Sequence, residues 1–203
     1  MSAGGGIAAL IPAAGRSARM GTLKALLPLG RATVIEEAVR RFHAAGVDDV
    51  RVVTGHRAGE LAPVLRKLGV KEIFNPDYEQ GMFASVRAGV RSLEPGISAF
   101  FLLPADIPLV KPGTIKGLLH ASRHRGAMIV YPRFRGSRGH PPLISTALVG
   151  NLPPDCEGGL RAFLGRYSAV ALDLEVMDEA ILLDCDTPED YRRLQAYALR
   201  EDE

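Results

Sequence analysis

The sequence predicts an α/β domain of three layers, a mostly parallel central sheet covered by helices on both faces, with residues 1–203 forming one unit. Three observations carry this. From Ile7 to Pro104, short apolar runs alternate with longer amphipathic ones, the pattern of strands joined by crossover helices. The strongest run, over 99–104, is apolar without alternation, as a strand buried on both faces requires. Finally, 203 residues at 47% apolar lie within what one core fills, and no repeat, low-complexity tract or linker divides them.

Taken in order, residues 7–11 read as a buried strand and 33–45 as a helix that places Val34, Ala38, Val39 and Phe42 on one face, with Gly46 as its stop. Strands are expected at 50–54 and 71–75, helices at 58–68 and 82–92, then the strand at 99–104. A helix over 114–124 and a strand over 128–131 follow. Beyond them the spacing turns irregular and rich in Gly and Pro through Pro153, which predicts antiparallel pieces added at the sheet edge. Two more strands are expected at 169–174 and 180–183. The last helix opens at Thr187, an N-cap residue followed by Pro188 at the first helical position, and its tail from Arg200 is expected to fray.

Charge and composition exclude several classes. Lysine plus arginine number 25 against 23 acids, and a net charge of +2 supports neither a nucleic-acid groove nor an anionic membrane surface. No segment approaches the roughly 20 apolar residues of a membrane span, and the run at 7–11 is too short for a signal-peptide core. Cys156 and Cys185 show neither metal-ligand spacing nor a disulfide framework, so a reduced, cytoplasmic protein is expected.

The chemistry concentrates after the first strand. Pro12-Ala13-Ala14-Gly15-Arg16-Ser17, continuing through Arg19 and Gly21 to Lys24, is a small, basic loop at the carboxyl end of a strand, where open α/β sheets collect ligands. Gly15 and Gly21 let backbone amides approach a polyphosphate, and Arg16, Arg19 and Lys24 supply cationic donors. Neither G-x-G-x-x-G nor the G-K-[ST] of a P-loop is present. A dinucleotide-binding oxidoreductase is disfavoured further by Thr54-Gly55-His56 where an acid would stand at the end of the second strand. Asp106 ends the wholly apolar strand, a place from which a carboxylate holds a divalent ion or caps the turn before Pro108.

The loop, read as Ala-Ala-Gly-Arg-Ser-Ala-Arg-Met-Gly-Thr-Leu-Lys24, closely resembles the signature of the MobA-like nucleotidyltransferases, in particular the branch containing molybdenum cofactor cytidylyltransferase. Gly81-Met82 with Ser85, Leu103-Pro-Ala-Asp106, Gly139-His140-Pro141 and Asp184-Cys-Asp186-Thr-Pro-Glu-Asp190 match further elements of that branch in order, so the resemblance spans residues 7–198. One departure is Ala105, where many relatives carry glycine before the aspartate.

The resemblance implies a Rossmann-like fold of the nucleotide-diphospho-sugar transferase type and a Mg²⁺-dependent transfer of a nucleoside monophosphate, CMP from CTP, to a phosphorylated acceptor, molybdopterin. Pyrophosphate would leave, and a molybdoenzyme would receive the product. It gives Arg19, Lys24 and Asp106 catalytic roles and Asp106 and Asp186 the metal. Nucleotide contacts fall to Ala13, Ala14, Gly15, Arg16, Ser17, Gly21, Gly81 and Ser85, and a candidate acceptor contact to His140. Simple structural roles remain open for Asp186, as a start of the last helix, and for His140 as a loop histidine. GTP as donor, another phosphorylated acceptor, and a catalytically idle cofactor-delivery module are the competing readings.

Overall fold

The computed structural model describes residues 5–15, 22–150 and 152–201. Ten strands and seven helices lie among them: β1 (Gly6–Pro12), β2 (Pro28–Leu29), β3 (Ala32–Thr33), α1 (Val34–Ala44), β4 (Asp49–Thr54), α2 (Ala58–Leu68), β5 (Lys71–Phe74), α3 (Met82–Arg91) and β6 (Ile97–Leu102). The second half adds α4 (Pro112–Arg125), β7 (Ile129–Phe134), β8 (Ser137–Arg138), β9 (Leu143–Ser145), α5 (Thr146–Val149), α6 (Gly159–Gly165), β10 (Ala171–Glu175) and α7 (Pro188–Glu201).

The main sheet runs β10-β7-β9-β6-β1-β4-β5, with β8 paired to β7. β1 lies parallel to both β4 and β6, with Leu10 opposite Leu102 and Ile11 opposite Val52. Both faces are covered, and the sequence shows it: Ala9 and Ile11 of β1 enter one core cluster while Ala8 and Leu10 enter the other. In β6, Ala99 and Phe101 face one way and Phe100 and Leu102 the other. The first cluster receives Phe42 of α1, Leu61 of α2 and Ile115 of α4; the second receives Val86 of α3, Val149 of α5 and Phe163 of α6. These are the three layers.

The first half forms as the periodicity predicts. α1 opens with a capping box, in which the Thr33 hydroxyl accepts from Glu36 N and the Glu36 carboxylate accepts from Thr33 N at 2.8 Å. Gly46, at φ 81°, follows its end in the left-handed conformation that glycine adopts without strain. α4 starts two residues before the expected Thr114, because Pro112 occupies its first turn, where a missing N–H costs nothing.

Two expectations for the second half need correction. The antiparallel strand β9 is not at the sheet edge; it is inserted between β6 and β7, antiparallel to both, and the edge strand β10 is parallel to β7. The apolar run at 180–183 is not a strand but a 3-10 turn over Glu179–Leu182, fixed because the Asp178 side chain accepts from Ala180 N at 3.2 Å. A run of four apolar residues satisfies either geometry, and this side-chain bond selects the turn.

Candidate active site

Parallel order brings the carboxyl ends of β1 and β6 side by side, and backbone bonds continue past the strands. Leu103 N donates to Leu10 O and Ala105 N to Pro12 O, so the segment after β6 runs along β1 and delivers Asp106 to the sheet's edge. On the other side, Ala13 N donates to Val53 O and His56 N to Ala14 O, which lays residues 13–15 across the ends of β1 and β4. Gly55 permits that approach: a Cβ there would stand 2.9 Å from Ala14 Cβ and 2.5 Å from that of Tyr78.

Lys24 returns to the same edge from the 3-10 turn Lys24–Leu26. Its ammonium, 14% exposed at the side chain, donates to Asp186 Oδ1 at 2.5 Å and lies 3.8 Å from Asp106 Oδ2. Asp186 reaches this point from the segment before α7, which Thr187 fixes. The Asp190 carboxylate accepts from Thr187 N and Oγ1, and Thr187 Oγ1 accepts from Asp190 N. Pro12, Ala13, Gly15, Lys24, Met82 and Asp106 line a cleft of about 120 Å³.

Carboxylates gather around Lys24, and the effect shows at Asp184. The carboxyl of Asp184 is held above the ordinary carboxylate range, first by desolvation and then by Asp186, Asp190 and Asp106, with Lys24 acting in the opposite sense. Burial pushes the Cys185 thiol up to about 11, which keeps it protonated and inert beside the cleft.

The structure thus brings Ala13, Ala14, Gly15, Lys24, Asp106 and Asp186 to one edge. Arg16, Ser17, Arg19 and Gly21 lie outside the described residues. Gly81 sits at φ 94° at the entry to α3, a conformation favouring glycine, and hands the chain to Met82 on the rim of the cleft. Ser85, one turn into α3, is only 3% exposed, and its hydroxyl accepts from Asn75 Nδ2 at 3.1 Å. Asn75 also accepts from Asp77 N at 3.0 Å, so this pair ties the end of β5 to the start of α3 beneath the cleft. Sequence reading did not single out Asn75; its place directly after a strand and before a Pro-Asp turn was the available signal.

His140 is not among the described residues that line this cleft; it packs against the backbone of Leu102. Its backbone N donates to Ile181 O at 2.9 Å, its Nδ1 lies 3.4 Å from Leu102 O, and the His140–Pro141 peptide is cis. Burial depresses the imidazole pKa, partly offset by the contact with Leu102 O, so the ring is neutral at pH 7. Among the described residues, no group of three or more His, Cys, Asp or Glu converges as a metal cage. Two carboxylates do converge, on Lys24. No described helix is long and apolar enough to cross a membrane.

Comparison with known proteins agrees with this geometry. Residues 9–171 match the model of the MobA-like NTP transferase domain. The chain is 30% identical over 186 residues to the molybdenum cofactor cytidylyltransferase of Escherichia coli K12, covering 90% of this chain and 92% of that one. It is also 30% identical over 179 residues to the molybdenum cofactor guanylyltransferase of Sinorhizobium fredii, covering 83% and 79%. A solved nucleotidyl transferase from Methanothermobacter superposes with a TM-score of 0.83 at 28% identity, covering 96% of this chain and 98% of that one. Residues 13–15, a lysine and two carboxylates gathered at the carboxyl ends of parallel strands, with a family match over most of the length, lead to one conclusion: the chain is a nucleotidyltransferase belonging to the MobA-like NTP transferase family.

Proposed function

We propose that this protein transfers CMP from CTP to a phosphorylated acceptor, molybdopterin, and releases pyrophosphate. The observation that carries the reading is Lys24 held between Asp106 and Asp186 at the carboxyl end of β1 and β6, beside the backbone of residues 13–15. The acceptor's phosphate oxygen, already ionised, attacks the α-phosphorus; the bond from that phosphorus to the bridging oxygen breaks, and the electron pair leaves with pyrophosphate. No protein nucleophile takes part, so the protein's work is positioning and charge neutralisation.

In this reading the amides of Ala14 and Gly15 face the triphosphate, with Ala13 holding the loop against β4 through its amide bond to Val53 O, joined by Arg16, Ser17, Arg19 and Gly21 of the same loop. The Lys24 ammonium donates to the oxygens on which charge grows. Gly81 leaves the backbone open toward the base, while Ser85 serves the nucleotide through the segment that it anchors with Asn75. Neutral His140 would contact the acceptor as a hydrogen-bonding group rather than a cation. Asp106 and Asp186 fit Mg²⁺, which is commonly held by one or two carboxylates together with substrate phosphates, and both stand within reach of the same Lys24 ammonium. When bound there, the ion would neutralise phosphate charge. A molybdoenzyme would receive the product, and the free thiols of Cys156 and Cys185 suit a cytosolic setting.

GTP is the second reading for the donor, favoured by equal identity to the guanylyl relative. The test is to incubate the protein with Mg²⁺ and each nucleoside triphosphate, with and without molybdopterin, and to measure pyrophosphate. CTP with molybdopterin should give the fastest release. Preference for GTP would overturn the base assignment alone, whereas no release with any pair would overturn the transferase reading of this site. Asp106→Asn should lower turnover more than tenfold while the melting temperature stays within a few degrees, because an amide does not replace the carboxylate's charge. Retention of more than roughly a tenth of the rate, a barrier change under about 1.4 kcal/mol, would remove Asp106 from the reaction.

A further inference from the structure

α3 joins two ends of the molecule. Its first residue, Met82, borders the cleft, and its last, Arg91, reaches the opposite edge of the sheet, where β6 begins after Gly96. On that side Arg87, Arg91, Glu94, Thr146, Gly150 and Leu152 help to line a second hollow, of about 500 Å³.

Arg87 is the anomaly there. It is 9% exposed, its Nη1 is closed off from solvent, and that atom has no hydrogen-bond partner among the described residues. A guanidinium is always charged, carries five donors, and is buried stably only with acceptors around it. Arg51 follows that rule: it is 1% exposed and meets Asp49 at 2.6 Å and Glu94 at 3.2 Å.

We propose that the hollow is a binding site for a small phosphate-class oxyanion, with Arg87 as its buried anchor and Arg91 as a second donor. The two residues are four apart on α3, so they stand on the same helical face and present two guanidinium forks to one ligand. The one carboxylate lining the hollow, Glu94, is already engaged by Lys71 at 3.0 Å and by Arg51 at 3.2 Å, so it does not neutralise Arg87. The Thr146 hydroxyl shares its one proton between Ile97 O and Ser98 O, at 2.9 and 3.0 Å, and holds the opposite wall in place. The site is separate from the catalytic edge, and its existence does not depend on the identity of the nucleotide or acceptor. Because α3 also carries Gly81 and Met82 at its entry, occupancy of the hollow bears on the same helix that borders the cleft.

The experiment is a calorimetric titration of the full-length protein with inorganic phosphate at constant ionic strength, paired with thermal unfolding at each phosphate concentration. Wild type and Lys24→Ala should both bind phosphate and gain roughly 3 °C or more in melting temperature at tenfold excess over the dissociation constant. Arg87→Gln should lose both the heat and the shift. Arg91→Gln should weaken binding roughly tenfold and serves as the test if Arg87→Gln does not fold. Phosphate binding that survives Arg87→Gln, or that disappears with Lys24→Ala, would overturn the proposal, as would absence of binding by wild type at millimolar phosphate. If Arg87 is only an unpaired core residue, Arg87→Gln will raise the melting temperature equally with and without phosphate, and that result also counts against the site.

Discussion

Lys24 illustrates how much one side chain is asked to do. Two carboxylates from segments 162 residues apart in the case of Asp186 share its ammonium, so it organises the edge before any substrate arrives. A triphosphate brings more negative charge to that edge, and charge on the leaving oxygens grows only as the bond breaks, so an ammonium there stabilises the transition state more than the ground state. Lys24→Ala should therefore lower the single-turnover rate at saturating nucleotide roughly 100-fold while changing nucleotide affinity less than tenfold. An unchanged chemical step would remove Lys24 from catalysis. His140 makes a different prediction at the same scale. Its folded pKa lies below the ordinary 6.5 because of burial, so in acid the unfolded chain takes up a proton that the folded one refuses. The stability it contributes is complete above about pH 6.5 and is lost as pH falls from there toward the depressed folded value. Unfolding from pH 7 to 5 should show this slope in wild type and a shallower one in His140→Gln; equal slopes would mean that the ring titrates freely.

At the level of elements, the turn at Gly139 shows what pattern reading leaves out. A Cβ added to Gly139 would lie 2.4 Å from the backbone oxygen of Ile181, an atom with no freedom to move aside because His140 N is bonded to it. Gly139→Ala should cost about 2 kcal/mol, lowering the melting temperature by roughly 4–8 °C, and a change below 1 °C would show that the turn relaxes. This contact joins β7–β9 to the 3-10 turn at Glu179–Leu182, the region where expectation and structure part. In the first half, each strand buried on both faces is a continuous apolar run and each crossover helix carries a 3.6-residue period, so the βα units and the loop after β1 are legible one at a time. Between Tyr131 and α7 the elements are short, and their identity depends on partners far along the chain. β9 is three residues whose place between β6 and β7 follows from pairing, and nothing local in Leu143-Ile144-Ser145 encodes it. The site divides in the same way. Lys24, Asp106 and Asp186 were legible because their motifs sit at strand and helix ends, whereas Asn75 acts through Ser85 and carries no motif of its own. Nothing local in the sequence marks Arg51 or Arg87, and only the fold shows that they are buried.

Across the whole molecule, the Lys24 cluster draws together segments far apart in the chain. α7 lies over the N-terminal segment: Leu194 and Tyr197 share a buried cluster with Leu29 and Val34, and the Tyr191 hydroxyl donates to Pro28 O. Asp186 stands immediately before that helix and Lys24 immediately before the segment it covers, so docking α7 and assembling the carboxylate–ammonium cluster are one event. If residues 1–203 behave as a single domain, damage to this distant seam must weaken the entire fold, not release a loose tail. Leu194 is fully buried, and Leu194→Ala removes its packing and leaves a cavity, at a cost of about 2–5 kcal/mol. Far-UV circular dichroism, tyrosine signals and nucleotide binding should then be lost together in one transition at a lower temperature in the variant, with the transition as sharp as in wild type. Two separated transitions, in which nucleotide binding and the α7 contacts disappear first while the sheet persists, would instead make the C-terminal helix a dispensable cover. In that case Asp186 would reach Lys24 only while the cover is closed, and the unit that folds on its own would end before Pro188.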